Sequence, residues 1–203
     1  MGRTSDARER LLEAMMELIW VGSFGTTSVD HICERAEVKK GSFYHFFESK
    51  HALAMAAIEH GWETFRVQLD EAFSASKPPV ERLQAWIRQL KQEQVEMQRK
   101  HGRVLGCPIH TLGTEVGPMD DIFQKVLKGK LGQYLRYLES AIRDAHAEGV
   151  VDAPDATGKA KIVFSYSEGL LAHARIWNDL SILDSLEDGV RDILRLDEAL
   201  VPA

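Results

Sequence analysis

The chain is notable first for what it lacks. No window of its 203 residues approaches 18 uncharged apolar residues, so a membrane-spanning helix is not expected. The N-terminus, MGRTSDARER, has no apolar core, so an export signal is not expected either. Asp6 stands where an N-acylation pattern wants Ser or Thr. There are two cysteines, Cys33 and Cys107, too few for a disulfide scaffold. Both suit free thiols in a cytoplasmic protein. An excess of positive charge is also missing: the formal net charge is −6, which argues against a nonspecific polybasic nucleic-acid binder. Internal repeats and convincing strand patterns are absent.

Enough apolar sequence is present to build a core, 44% by composition with 28% charged. One stretch carries a local excess of positive charge. Residues 39–50 hold Lys39, Lys40 and Lys50 against Glu48, with His45 and His51 alongside.

Helical periodicity runs through the chain. Leu11, Met15, Leu18 and Ile19 make one apolar stripe over residues 5–21, closed by Gly22 and Gly25. Thr27 or Ser28 can cap a short helix from Val29 to Ala36, whose Val29, Ile32, Cys33 and Ala36 share a face. A two-turn helix over about Lys40 to Phe46 follows, and Ser49 can cap a long one. Further helices are expected over about 80–101, 119–148, 157–179 and 183–196. Residues 102–118, rich in Gly and Pro yet poor in charge, predict a short or broken helix. The fold class is therefore all-α, with about nine helices.

Residues 28–46 contain the parts of a helix-turn-helix: a support helix, a tight turn, and a short helix sized for a major groove. The outward residues of the second helix would be Lys39, Lys40, Ser42, Tyr44 and His45. Lys and His suit phosphate, and Ser, Tyr and Lys reach phosphate or base edges. Packing alone is the plainer alternative for such a pair of helices. At Cys33, core packing is the stronger reading.

Three runs carry a resemblance: Gly25-Thr-Thr-Ser-Val-Asp-His-Ile, Ala36-Glu-Val-Lys-Lys-Gly-Ser-Phe-Tyr-His-Phe-Phe, and Ser49-Lys-His-Ala-Leu. Together they resemble the N-terminal signature of the tetracycline-repressor (TetR/AcrR) family over about the first 55 residues. The resemblance implies a homodimeric, ligand-responsive transcription factor, usually a repressor, that reads a palindromic operator and is not an enzyme. It implies a three-helix DNA-binding domain over residues 1–50 and a larger helical effector-binding and dimerising domain over 51–203. No cofactor and no membrane partner are implied. Position by position it assigns Thr27, Ser28 and Lys50 to phosphate, and Lys39, Lys40, Ser42, Tyr44 and His45 to the recognition helix. Gly41 would allow close approach of the backbone. Glu37 departs from the pattern, which often has Gly there to relieve a positive φ.

For the body, the resemblance favours a dimer interface on the last two helices. The candidates are Phe164, Ser167, Leu171 and Ala174 on one stripe, and Leu186, Val190, Ile193 and Leu194 on another. Packing within one subunit is the alternative. Trp62, Phe65, Trp86, Leu90, Phe123, Leu127, Tyr134 and Trp177 could wall a pocket for a small, largely apolar effector. The segment Leu105-Gly-Cys-Pro-Ile-His-Thr-Leu-Gly-Thr-Glu115 adds Cys107 and His110. Its Gly-Cys and later Glu resemble a motif of a subgroup that includes an N-ethylmaleimide-responsive, electrophile-sensing repressor, whose matching cysteine is the reactive one. Two other readings compete for these residues. His101, Cys107, His110 and Glu115 are ligand types that suit zinc, but their spacing matches no compact finger. A Cys107/His110 nucleophile pair would suggest a thiol-reactive or small-molecule-converting enzyme with a vestigial head, yet no orienting residue or oxyanion hole is evident.

Overall fold

The structure is a computed structural model that describes residues 2–118 and 120–196, with the backbone alone for 2–5. Among these are nine α-helices and no strand: α1 Gly2–Val21, α2 Val29–Arg35, α3 Lys40–Phe46, α4 Lys50–Ala72, α5 Pro79–His101, α6 Pro108–Val116, α7 Asp121–Ala147, α8 Ala156–Trp177 and α9 Leu186–Leu194. A turn of 3-10 helix, Leu180–Ser185, precedes α9. The chain therefore has the all-α class expected of it. No described helix is long and apolar enough to cross a membrane.

The chain divides into two compact units, Met1–Arg66 with Pro108–Lys128, and Val67–Cys107 with Gly129–Ala203. The first unit is larger than the 1–50 head expected from the sequence, because it takes in the start of α4, all of α6 and the start of α7. Its core shows why. Leu11, Met15, Ile19, Ile32 and Phe43 of α1–α3 are fully buried in one cluster with Leu53, Leu112 and Phe123 from those later helices. With α2 and α3 only seven residues each, the added helices help to close the core.

Local chemistry sets the ends of the short helices. Ser28 caps α2 by accepting from His31 N at 3.1 Å, and Ser49 caps α4 by accepting from Ala52 N at 3.0 Å. Between α2 and α3, Glu37 N donates to Glu34 O and Val38 N to Cys33 O. This is a Schellman ending, which needs a left-handed residue after the cap. Glu37 takes that conformation at φ 53°, the strain its departure from glycine implied.

The second unit is built on α5, α7, α8 and α9. Trp86, Leu83 and Ile87 of α5, Leu138 and Ile142 of α7, Leu171 and Ala174 of α8, and Leu186, Val190 and Leu194 of α9 are all buried. Arg82 of α5 is held by Lys77 O and Ala75 O and pairs with Asp144 of α7 at 2.5 Å.

Candidate functional site

The outward face of α3 and the turn before α2 form the first candidate. Lys39, Lys40, Gly41, Tyr44 and His45 are exposed, and Ser42 is half-buried. Tyr44 remains 54% exposed although its ring meets Phe43 edge-on, so a large polar-tipped ring is held out to solvent by a buried neighbour. His45 is held in the same manner on Phe46. A Cβ added at Gly41 would meet nothing within 4 Å, which leaves room for a backbone to come close. Lys40 Nζ pairs with Asp30 of α2 at 2.8 Å, and that hydrogen bond raises the lysine's pKa.

Two expected phosphate contacts lie elsewhere. Thr27 is 5% exposed, and its hydroxyl donates inward to Ser23 O at 2.7 Å. It locks the turn and does not present a hydroxyl to solvent, whereas Ser28 beside it is exposed. Lys50 Nζ donates to Phe24 O at 2.8 Å and Thr27 O at 2.9 Å and lies 4.2 Å from the centre of the Phe24 ring. Burial lowers its pKa, so this ammonium braces the turn before α2.

The same turn is gripped from α6. Glu115 accepts from Phe24 N at 3.0 Å and from Gly25 N at 2.7 Å. Its carboxylate, weighed above as a zinc ligand, is thus committed to two backbone amides. His51 of α4 pairs with Asp120 at 3.0 Å, and Asp120 also caps α7 by accepting from Ile122 N and Phe123 N. The Phe123 ring then packs edge-on against Phe24 at 5.1 Å and His51 at 4.6 Å. Phe123, Leu127 and Trp62 are buried in the first unit, where Phe123 and Leu127 belong to its core. Phe65 of the same unit is half-buried beside Trp62, and His110 is half-buried on α6.

The second unit gathers a different set. Trp86 Nε1 donates to the Tyr134 hydroxyl at 2.7 Å in a fully buried pair, and Leu90 shares the buried face of α5 with Trp86. Cys107 is half-buried, and Glu168, on α8 of the same unit, is only 6% exposed. Burial, with Glu93 adding to it, pushes the Glu168 carboxyl up to about 7. Burial and then Glu96 bring Glu93 to about 7 as well. Burial also keeps the Tyr134 phenol protonated well above its ordinary range. Trp177 does not join this set: it is 68% exposed at the end of α8 and touches His173.

Six of the eight residues of the expected dimer stripe are covered by the chain itself. Ser167, Leu171, Ala174, Leu186, Val190 and Leu194 are each 1% exposed or less, packed within the second unit where α8 meets α9. Phe164 and Ile193 are half-buried, and the Phe164 ring lies edge-on to Tyr134. The opposite face of α8 is the exposed one, with Ile162 at 53% and Ile176 at 73%, and open space at Gly169 between them.

The residues not foreseen are Asp30, Glu93 and Glu168, together with the roles of Glu115 and Asp120. One of them had a signal. Glu168 falls at i+4 from Phe164 and three before Leu171, so a carboxyl group sits on an apolar stripe.

Comparisons with known proteins agree with this architecture. Residues 11–57 match the family model described as bacterial regulatory proteins, tetR family. The chain is 34% identical over 158 residues to the transcriptional regulator AcuR of Cereibacter sphaeroides, covering 76% of this chain and 70% of that protein. It is 24% identical over 194 residues to the HTH-type transcriptional repressor NemR of Escherichia coli, covering 93% and 94%. Among solved structures it resembles the regulatory protein TetR from Rhodobacter sphaeroides, with 31% identity, a TM-score of 0.82, and coverage of 93% of this chain and 97% of that one. It shares its fold with the reduced form of E. coli NemR, at 22% identity and a TM-score of 0.80 over 95% and 100% of the two chains.

Proposed function

The chain belongs to the tetR family of bacterial regulatory proteins, which makes it a DNA-binding transcriptional regulator; from that premise we propose that it is a homodimeric repressor that leaves a palindromic operator when an effector binds its body or when Cys107 is modified. The observation that carries the DNA-reading part is the outward face of α3, where Lys39, Lys40, Tyr44 and His45 are exposed around the open Gly41. The lysines suit phosphate, and Tyr44 and His45 suit base edges or sugar. In an acidic chain so few cations give one head little affinity, so two heads about 34–36 Å apart are needed to select a two-fold site.

The dimer reading rests on the exposed face of α8. Ile162, Gly169 and Ile176 recur at helical spacing, with a small residue at the centre that admits close helix approach. The effector reading rests on the body's aromatic interior for a small, largely apolar molecule, and on the half-buried Cys107 for a reactive one. Cys107 directly precedes Pro108, the first residue of α6, and α6 also carries Glu115 on the turn of the head. A change at the thiol is therefore one short helix away in sequence from the element that positions α2.

Footprinting on the DNA upstream of the protein's own coding region tests the reading. Two protected half-sites one helical turn apart, lost after treatment with effector or thiol reagent, are the expected result. If no palindromic fragment is shifted at low salt, the proposal fails. If binding occurs but Cys107→Ser releases like the unaltered protein under thiol reagent, the thiol is not the switch.

A further inference from the structure

Free positive charge is scarce around the reading helix. From α1 to the start of α4 the described Lys and Arg side chains are Arg8, Arg10, Arg35, Lys39, Lys40 and Lys50. Most of them already have partners. Arg10 pairs with Asp6 at 3.5 Å, Arg35 with Glu17 at 2.5 Å and Lys40 with Asp30 at 2.8 Å, while Lys50 donates to two carbonyls. Among the described residues, no carboxylate or carbonyl answers Lys39 or Arg8. Lys39 is exposed at the N-cap of α3, on the face already described. Arg8 is exposed on α1, outside the helix-turn-helix.

Arg8 is nevertheless held in place. Its guanidinium carbon lies over the ring of Phe47, 5.6 Å from the centre. Phe47 is the C-cap of α3, is 6% exposed, and packs against Phe43 and Phe46. A cation over an aromatic face is attracted by the ring's quadrupole, and a buried ring is a fixed platform for it. That contact uses the flat side of the guanidinium and leaves its N–H fork open to an acceptor. Asp6, a nearby carboxylate on α1, is held by Arg10 instead.

We infer that Arg8 is a further DNA contact of this protein, made to a backbone phosphate beside the C-terminal end of α3. This rests on the reading of α3 as the helix that enters the groove. With seven residues α3 rises about 10 Å, against a major groove about 12 Å wide. Lys39 stands at one end of that helix and Arg8 is pinned at the other. Two free cations so placed suit phosphates that border one groove, and the arginine fork matches two oxygens of a phosphate. Such a contact sets the register of the head on DNA without reading sequence.

The full chain is titrated by fluorescence anisotropy, over a range of salt, onto a duplex from upstream of its own coding region and a mixed-sequence duplex of equal length. Arg8→Gln, which keeps a stem over Phe47, and Arg8→Ala should each weaken binding to both duplexes alike. Each should flatten the plot of log affinity against log salt by about one for each head bound, as Lys39→Ala should. Arg8→Lys keeps the charge and should restore the slope but only part of the affinity. Lys125→Ala, an equal loss of charge at an exposed position on α7, should leave the slope unchanged. If Lys39→Ala flattens the slope and both neutral Arg8 variants, folded by circular dichroism, do not, Arg8 makes no phosphate contact and the reading of α3 stands. Equal flattening by Lys125→Ala assigns the effect to overall charge and overturns the proposal as well. If neither duplex is bound at low salt, the reading of α3 falls and takes the proposal with it.

Discussion

The carboxylate of Glu115 on α6 lies 2.7 Å from the backbone nitrogen of Gly25 and 3.0 Å from that of Phe24. These amides belong to the turn that launches α2, so a single side chain ties α6 to the position of the reading head. Hydrogen bonds from backbone N–H to a charged acceptor are worth roughly 1.5–3 kcal/mol, and leaving the amides unanswered loses most of that. Glu115→Ala should lower the stability of the first unit by about 2 kcal/mol by chemical denaturation. Operator affinity should fall several-fold with an unchanged salt slope, since no phosphate contact is removed. A slope that falls along with affinity would mean that the carboxylate acts on the DNA-facing charges and not on the turn.

Lysines 40 and 50 separate under the same measurement. Lys40 is exposed on α3, with Asp30 as its partner at 2.8 Å. Asp30→Asn should free that ammonium and remove an anion from the DNA-facing side, so operator binding tightens and its salt slope steepens by up to about one. Lys40→Ala should do the reverse.

Lys50 braces two carbonyls from behind. Lys50→Ala should weaken binding through a looser turn while the slope stays put. A loss of about one from the slope would restore Lys50 to the phosphate role first expected of it.

Glu93 and Glu168 make the second unit sensitive to pH. Both carboxyl groups sit near 7 when folded, against an ordinary value of 4.5. The folded chain therefore holds these protons more tightly than the unfolded chain. The stability they allow is complete below about 4.5, declines as pH rises through 7, and stays lost above it. For Glu168 the interval from 4.5 to about 7, at about 1.4 kcal/mol per pH unit, sets a ceiling of about 3 kcal/mol. The Glu93 charge is part of what raises Glu168, so the two losses are not simply additive. Glu168→Gln should match the unaltered protein in thermal stability at pH 5 and exceed it by several degrees at pH 8. Equal melting temperatures at both pH values would show that the carboxyl group ionises without cost.

How far the sequence could be read depended on the range of each interaction. The bounds of α3 and the Ser49 cap follow from residues within a turn of each other, and both were legible; at Glu37 the sequence left a different turn or a strained one open, and the structure has the strained one. Apolar stripes were legible too, but a stripe says that a face is covered and not what covers it. Ser167, Leu171 and Ala174 looked like a surface for a second subunit because they share one helical stripe and the family resemblance favoured an interface there; the chain's own α9 packs against that stripe. Trp177 looked like a pocket wall, yet it is the last residue of α8, before Asn178 turns left-handed at φ 54°, and it is left exposed. Glu115 and Gly25 are 90 residues apart, and no local pattern signals such a pair. The carbonyl partners of Lys50 were out of reach for the same reason, lying 23 and 26 residues earlier.

The outward face of α8 is where the dimer can be challenged. Ile162, Ile176 and Trp177 are more than half exposed, a poor state for large apolar groups unless a partner covers them. A Cβ at Gly169 meets nothing within 4 Å in the chain itself, so the folded subunit should tolerate a large residue there while a close-packed second helix would not. Gly169→Arg and Ile176→Asp should each yield a folded monomer by sedimentation velocity. Val95→Asp, at an exposed apolar residue on α5, should stay dimeric. Separating the heads removes the gain from simultaneous binding, which runs from about a hundredfold upward, so operator affinity should fall by at least that factor with a salt slope near half the original. Variants that remain dimeric would move the interface off this face. Monomers that bind the operator as tightly as the unaltered protein would remove the need for two heads.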